Sequence, residues 1–301
     1  MDPLDEVKRS QQLDSSAGNV PNTNLDAESE YIYLPSKGIF YPEPFKGLEK
    51  LKVRKLNWED EDILTTQSYY DNGTLFDEIL KNCIIDENKF PASQLVPVDR
   101  DTILWWLRIG AFGRNYEVPW KCANKDCKQT HKVTWDLGSF KSPVPPDAYE
   151  EELVNTGGVI ITLPLSQLKC KIGVSSIGRE REIEKRLKTK KEKTKATRDF
   201  YSTGKLLSVI KEVYQEDGTA LKDSDQIFTW LRTGNNGAPV PMGDTRYVIK
   251  KASEISLSVD TKKDIECPHC NYIEEGVRMP MSIYFFWPEF EELSGVSAPV
   301  N

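Results

Sequence analysis

Glu117-Val118-Pro119-Trp120-Lys121-Cys122-Ala123-Asn124-Lys125-Asp126-Cys127-Lys128-Gln129-Thr130-His131-Lys132-Val133-Thr134-Trp135 places strand-like flanks on either side of two cysteines. That is the pattern of a hairpin whose tip offers a pair of thiols. Lys263-Asp264-Ile265-Glu266-Cys267-Pro268-His269-Cys270-Asn271-Tyr272-Ile273-Glu274-Glu275-Gly276-Val277 repeats the arrangement near the other end of the chain. Thiolates separated by two to four residues suit a tetrahedral zinc ion, because a tight turn aims both sulfurs at one point. Neither pair fills four coordination positions. Together, Cys122, Cys127, Cys267 and Cys270 make a closed, all-sulfur structural set, so a single structural Zn²⁺ held by both tips is expected. The long intervening segment is compatible with this if it folds and returns its ends to one place. His131 and His269 rank below the cysteines as ligands. Cys-Pro-His-Cys also occurs in thiol oxidoreductases, but there a helix should follow, and Asn271–Gly276 reads as a hairpin return. Cys83 and Cys170 lie in apolar-patterned segments and read as small core residues.

Upstream of each cysteine pair the same features occur in the same order. Leu51-Lys52-Val53-Arg54-Lys55-Leu56 and Leu168-Lys169-Cys170-Lys171-Ile172 read as strands. Asn57 caps an acidic helix opening Trp58-Glu59-Asp60-Glu61-Asp62. Tyr70-Asp71-Asn72-Gly73-Thr74-Leu75 and Tyr201-Ser202-Thr203-Gly204-Lys205-Leu206 share Tyr, Gly and Leu and introduce amphipathic helices. Asp101–Gly113 and Asp225–Gly237 then share Asp, Ile, Trp, Leu, Arg and two Gly in one ungapped stretch, with Trp106 and Trp230 expected in the core. The fold class expected is α+β, with two pseudo-repeated halves (strand, helices, cysteine hairpin) joined at a split four-cysteine zinc ribbon. The chain divides into an acidic, partner-ordered or disordered arm (1–30), a first half (31–140), a connector (141–165), a second half (166–290) and a tail (291–301).

Composition narrows the function. Of 301 residues, only 2 are His, and neither a phosphate loop nor a nucleophile elbow is present, so an enzyme is not expected. No run of apolar residues is long enough for a membrane span. The opening Met1-Asp2-Pro3-Leu4-Asp5-Glu6 lacks the basic and apolar stretches of an export signal, which points to a reducing compartment without disulfides. The net charge of −7 argues against a general nucleic-acid coat.

Against that acidic background, Arg179 to Arg198 is strongly basic. Its alternating signs fit an exposed helix with charges paired along its surface. Arg179, Arg181, Lys185, Arg186, Lys188, Lys190 and Lys191 are candidate contacts for an acidic protein partner. The alternative is a zinc-ribbon nucleic-acid-binding or transcription-associated protein using this helix. It is not favoured, because no aromatic residues are interleaved to stack on bases. Tyr284, Phe285, Phe286 and Trp287 form an aromatic tail for which burial is the default, with some side chains left as candidate partner contacts.

Leu34-Pro35-Ser36-Lys37-Gly38-Ile39-Phe40-Tyr41-Pro42, the Val53–Leu56 strand before an acidic helix, the helical middle and the Cys-x-x-Cys hairpin resemble the baseplate hub proteins of T-even-type contractile-tailed phages, over residues 31 to 290. The resemblance implies a non-enzymatic protein made in the cytoplasm of the infected bacterium. It would act with other tail and baseplate proteins in building the hub, either as a virion subunit or as an assembly factor.

Overall fold

The computed structural model describes residues 29–86, 89–141, 143, 151–195, 200–281 and 285–286. The acidic arm, apart from its last two residues, and the tail positions Tyr284 and Trp287 lie outside them.

Two strands open the fold. β1 (Ser29–Tyr33) and β2 (Lys50–Arg54) pair antiparallel, from Ser29 opposite Arg54 to Tyr33 opposite Lys50. Ile32, Leu51 and Val53 take the inward positions and are buried. The connection between the strands begins Leu34-Pro35-Ser36 and turns at Gly38, where φ is 68°. A side chain there would put its Cβ 2.3 Å from the Leu48 nitrogen. Asn57 accepts the Glu59 N–H at 2.9 Å ahead of α1 (Asp60–Thr65), and buried Asp60 holds Arg54 at 2.7 Å. After α2 (Gln67–Asp71) and α3 (Leu75–Cys83), the chain straightens and Ile84 bridges Val53, adding a third strand position beside β2.

α4 (Pro97–Phe112) starts on a proline, whose missing N–H costs nothing in a first turn. It buries Ile103, Leu104, Trp105, Trp106, Leu107 and Ile109. Arg108 is buried too, and its guanidinium donates to the carbonyls of Gly113 (2.9 Å) and Asn115 (3.2 Å), capping the helix end. The first cysteine hairpin follows as β3 (Asn115–Lys121) and β4 (Thr130–Asp136), paired in unbroken antiparallel register.

The chain then continues into a four-stranded sheet and its helices. After α5 (Glu151–Thr156), β5 (Gly158–Thr162) and β6 (Lys169–Gly173) form an antiparallel hairpin. The basic segment is α6 (Ile177–Thr194), capped by Ser176 and ended by Lys195 in the left-handed conformation. α7 (Tyr201–Val209) leads into β7 (Ile210–Tyr214), which pairs with β6, and β8 (Ala220–Leu221) completes a four-stranded sheet in the order β5-β6-β7-β8.

α8 (Ser224–Thr233) carries buried Trp230, whose indole N–H donates to Asn235 at 3.0 Å. The sequence reading runs from this Trp helix to the second cysteine hairpin with no helix assigned between them. The structure instead interposes α9 (Met242–Ile255) before β9 (Lys262–Glu266) and β10 (Ile273–Arg278). α9 escapes the sequence reading because its buried stripe is thin, with only Val248 and Ala252 buried among its apolar residues. Helices and antiparallel strands make the architecture α+β.

Two hydrophobic clusters result. The first gathers β1–β4 and α3–α4, and it also recruits Leu257, Ile265, Val277, Met279, Phe285 and Phe286 from the C-terminal end of the chain. The second lies between the four-stranded sheet and α6–α9. Phe40 packs against both. α6 ties them through Arg181, which donates to Asp77 at 2.9 Å and to the Gly73 carbonyl, and through the Ile177 N–H, which donates to Leu95 at 2.9 Å. Phe285 and Phe286 therefore depart from the partner-contact expectation. They are 0% and 1% exposed and pack edge-on with each other and with Tyr116 and Phe76, so no face remains for a partner.

Candidate metal centre

Each cysteine hairpin closes on itself before it meets the other. The Cys122 N–H donates to the Gln129 carbonyl at 2.9 Å, and the Cys127 and Lys128 N–H groups both donate to the Asn124 carbonyl at 3.1 Å. The Asn124 side chain in turn accepts the Asp126 N–H at 3.0 Å. In the second tip the Cys267 N–H donates to Tyr272 (2.9 Å) and the Asn271 N–H to Cys267 (2.8 Å). Both tips reverse through a left-handed residue directly after their second cysteine, Lys128 at φ 54° and Asn271 at φ 56°. A reversal there lets both thiols of one tip face the same side.

The tips meet. Cys122 Sγ lies 3.7 Å from Cys270 Sγ, and Cys127 Sγ lies 3.9 Å from Cys267 Sγ, across 148 and 140 positions of sequence. All four ligand atoms fall within 4.8 Å of one another. A disulfide needs about 2.05 Å, so these are four packed thiols. The edges of a tetrahedron of sulfurs, each about 2.3 Å from a central zinc, are about 3.8 Å. The cluster thus has the size and donor chemistry of a four-sulfur metal site with no position left open.

Burial pushes the Cys122 thiol up to about 12, and the neighbouring thiols add to the effect. Cys267 moves the other way. Burial opposes its ionisation, but the backbone N–H groups of His269 and Cys270 and the thiols of Cys122 and Cys270 bring it down to about 7. A divalent cation bound at this cluster would displace the thiol protons.

Among the described residues, the metal-capable cluster of His, Cys, Asp and Glu side chains consists of these four cysteines. His131 sits in β4 opposite Trp120, outside it. Cys83 and Cys170 are fully buried in the first and second clusters, and burial pushes each thiol up to about 12. Other contacts join the hairpins beside the sulfurs. The Trp120 indole N–H donates to Glu274 at 3.2 Å, and the Lys263 ammonium sits 4.5 Å over the Trp135 ring. No spacing in the sequence announces these cross-hairpin pairs, since each joins residues far apart in the chain. Asn124 is a further supporting residue missed by the motif reading. It donates to Cys270 Sγ at 3.7 Å, and only its place between two cysteines hints at that use.

The seven basic candidates on α6 have different surroundings. Arg179 donates to the Leu207 and Ile210 carbonyls, each at 2.9 Å, and Arg181 is held by Asp77. Arg186 pairs with Glu182 at 2.7 Å, and the Lys190 ammonium lies 3.4 Å over the Phe228 ring. Arg179, Arg181 and Lys190 brace α6 against neighbouring elements, and Arg186 also reaches Asp225 of α8 at 3.6 Å. Lys185 and Lys188 are exposed, and Lys188 and Lys191 line a groove between α6 and α7.

A family model described as T4 bacteriophage base plate protein matches residues 28–275. No curated protein and no solved structure matches the chain.

Proposed function

The chain belongs to the T4 bacteriophage base plate protein family, and from that premise we propose that it is a non-enzymatic structural or assembly protein of a contractile-tail baseplate hub, stapled by one structural zinc ion. The family match, spanning both cysteine hairpins up to residue 275, carries the tail assignment. The four-sulfur cluster supports the zinc. Cys122, Cys127, Cys267 and Cys270 would hold the ion. Bound there, it would supply cross-linking and no catalysis, because four thiolates leave no position for water or substrate. Lys121, Lys125 and Lys128 lie in the first tip, where their charge would offset the negative charge of four thiolates around a divalent ion.

The two halves read as a duplication. Each has a hairpin, a helix returning to the hairpin's second strand, a helix with a buried aspartate in its first turn, and a cysteine hairpin. In each, the turn after the first strand begins Leu-Pro, at Leu34-Pro35 and Leu163-Pro164. That turn is held by the later helix's aspartate: Asp99 accepts the Ser36 N–H at 2.9 Å, and Asp244 accepts those of Leu165 and Ser166 at 2.8 and 2.9 Å. This pairing matches α4 with α9 and makes β8 and α8 an insertion in the second half. The domain limits proposed are those of the sequence, with the second cysteine hairpin contributing to the first core.

The site of action is the host cytoplasm during assembly, and then the virion tail. Tail proteins are the partners, with Lys185, Lys188 and Lys191 on α6 as contact candidates and Tyr284 and Trp287 as tail candidates. Metal analysis of the purified chain together with co-purification of tail proteins tests the proposal. One zinc per chain and recovery with baseplate components are expected. Two ions or none would overturn the shared staple, and salt-sensitive retention on DNA without tail-protein capture would overturn the assembly role.

A further inference from the structure

Two exposed aromatic residues stand out on opposite halves of the chain, Trp58 at 77% and Tyr201 at 79% exposed. Trp58 precedes α1, and Glu59, Glu61 and Asp62, its neighbours in the chain and on the turn that opens the helix, are exposed with it, so this apolar knob stands on an acidic stretch. Tyr201 stands at the mouth of the α6–α7 groove, about 700 Å³ in volume. The groove's floor is apolar where Gly204 of α7 brings the two helices close: a Cβ there would lie 3.2 Å from Leu187. Its C-terminal rim carries Lys188, Lys191 and Lys205, and its other end carries Glu180 and Glu184. A ligand seated along it therefore places acidic groups at the lysine end and an apolar group on the floor.

We infer that the Trp58 knob of one copy docks into the α6–α7 groove of a second copy. The charges are complementary, three exposed carboxylates close to Trp58 in the chain against three lysines lining the groove. The knob's exposure means that it is not docked against the described residues of its own chain. Tryptophan also supplies more contact energy per residue than most side chains at interfaces. Knob and groove are different patches, so the contact is heterologous and builds a ring or an open chain, according to the angle between copies. It uses neither the four sulfurs nor the family assignment.

Sedimentation velocity of the full-length chain tests it. The wild-type chain is expected to assemble as concentration rises and to dissociate with added salt, which screens the rim. A knob variant, Trp58→Ala with Glu61→Lys, and a groove variant, Lys188→Glu with Lys205→Glu, change only exposed side chains. Each is expected to weaken association about tenfold or more. Mixed one to one, they should form a two-chain complex, because the groove variant's intact knob fits the knob variant's intact groove. A wild-type chain that stays monomeric at every concentration overturns the inference. So does assembly that survives both variants, or a mixture that fails to pair. Metal content measured on the same samples should be unchanged, which separates this outcome from the fate of the zinc proposal.

Discussion

Lys211 is a residue whose charge is opposed by its surroundings. It lies on β7, its stem against Gly173, where a Cβ would come 3.0 Å from Lys211 Cε. Burial, reinforced by neighbouring Arg179 and only partly opposed by Glu180, holds its ammonium down to about 7. In the unfolded chain the group titrates near 10.4. Between those values the unfolded state binds more protons, so the contribution of Lys211 to stability rises as pH climbs from about 7 toward 10. Below that window both states are protonated and the penalty is at its full value. Lys211→Met should raise stability at neutral pH by on the order of 1–3 kcal/mol and remove this share of the slope. Denaturant titrations of both proteins across the window check it, and parallel slopes would refute it.

The buried aspartates make a second test at this scale. Asp99 accepts from the Ser36 N–H and hydroxyl and from the Tyr41 hydroxyl, whereas Asp244 accepts two backbone N–H groups. Asp99→Ala should cost about 2–4 kcal/mol and Asp244→Ala about 1–3 kcal/mol, because each leaves donors with no partner. Equal, small losses in thermal denaturation would mean that water replaces both carboxylates.

At the scale of elements, the turn after β1 depends on one glycine. Gly38 combines a φ of 68° with the 2.3 Å approach of a would-be Cβ to the Leu48 nitrogen, a backbone atom that cannot swing aside. Gly38→Ala should destabilise by about 2–4 kcal/mol, more than the ordinary cost of a left-handed alanine. Gly47, with φ 77° and no neighbour within 4 Å, is the control and should lose only the conformational part.

This turn also shows what the sequence made legible. Leu34-Pro35-Ser36-Lys37-Gly38 could be read as a tight turn because glycine and proline state their backbone needs locally. The cysteine hairpins were legible for a similar reason, since thiol spacing and strand flanks lie within one short stretch. The capture of that turn by Asp99 was not legible, because it joins residues 63 positions apart through a side chain that is ordinary in a helix's first turn. The shared Tyr-x-x-Gly-x-Leu letters do not correspond to one local structure. Gly73 lies in the turn before α3 with φ 64°, whereas Gly204 lies inside α7 against Leu187, so identical residues occupy different structural positions.

Across the whole molecule, the sulfur cluster is where the chain's two ends of order are joined. β3–β4 and β9–β10 both feed the first core, through Val118 and Val133 on one side and Ile265 and Val277 on the other. That core is coupled to the second by Phe40 and by α6, which is anchored through Arg181 on Asp77. A metal at the tips would therefore stabilise more than the tips, since its binding free energy is available only to a chain that has brought both hairpins together. Cys122→Ser and Cys267→Ser remove one ligand from each hairpin. Each should release the ion and lower stability by about 3–5 kcal/mol, because loss of a structural metal is among the largest single-site effects. The two variants should look alike, and calorimetry should show one transition moved to lower temperature. Chelation of the wild-type chain should reproduce that shift, and zinc should reverse it. Acidification should weaken metal retention as well, since protons compete for the same sulfurs. If Cys267→Ser loosened only β9–β10 while Cys122→Ser bound the ion as before, the hairpins would not share a centre. The contacts of Trp120 with Glu274 and of Lys263 with Trp135 would then have to hold them together unaided.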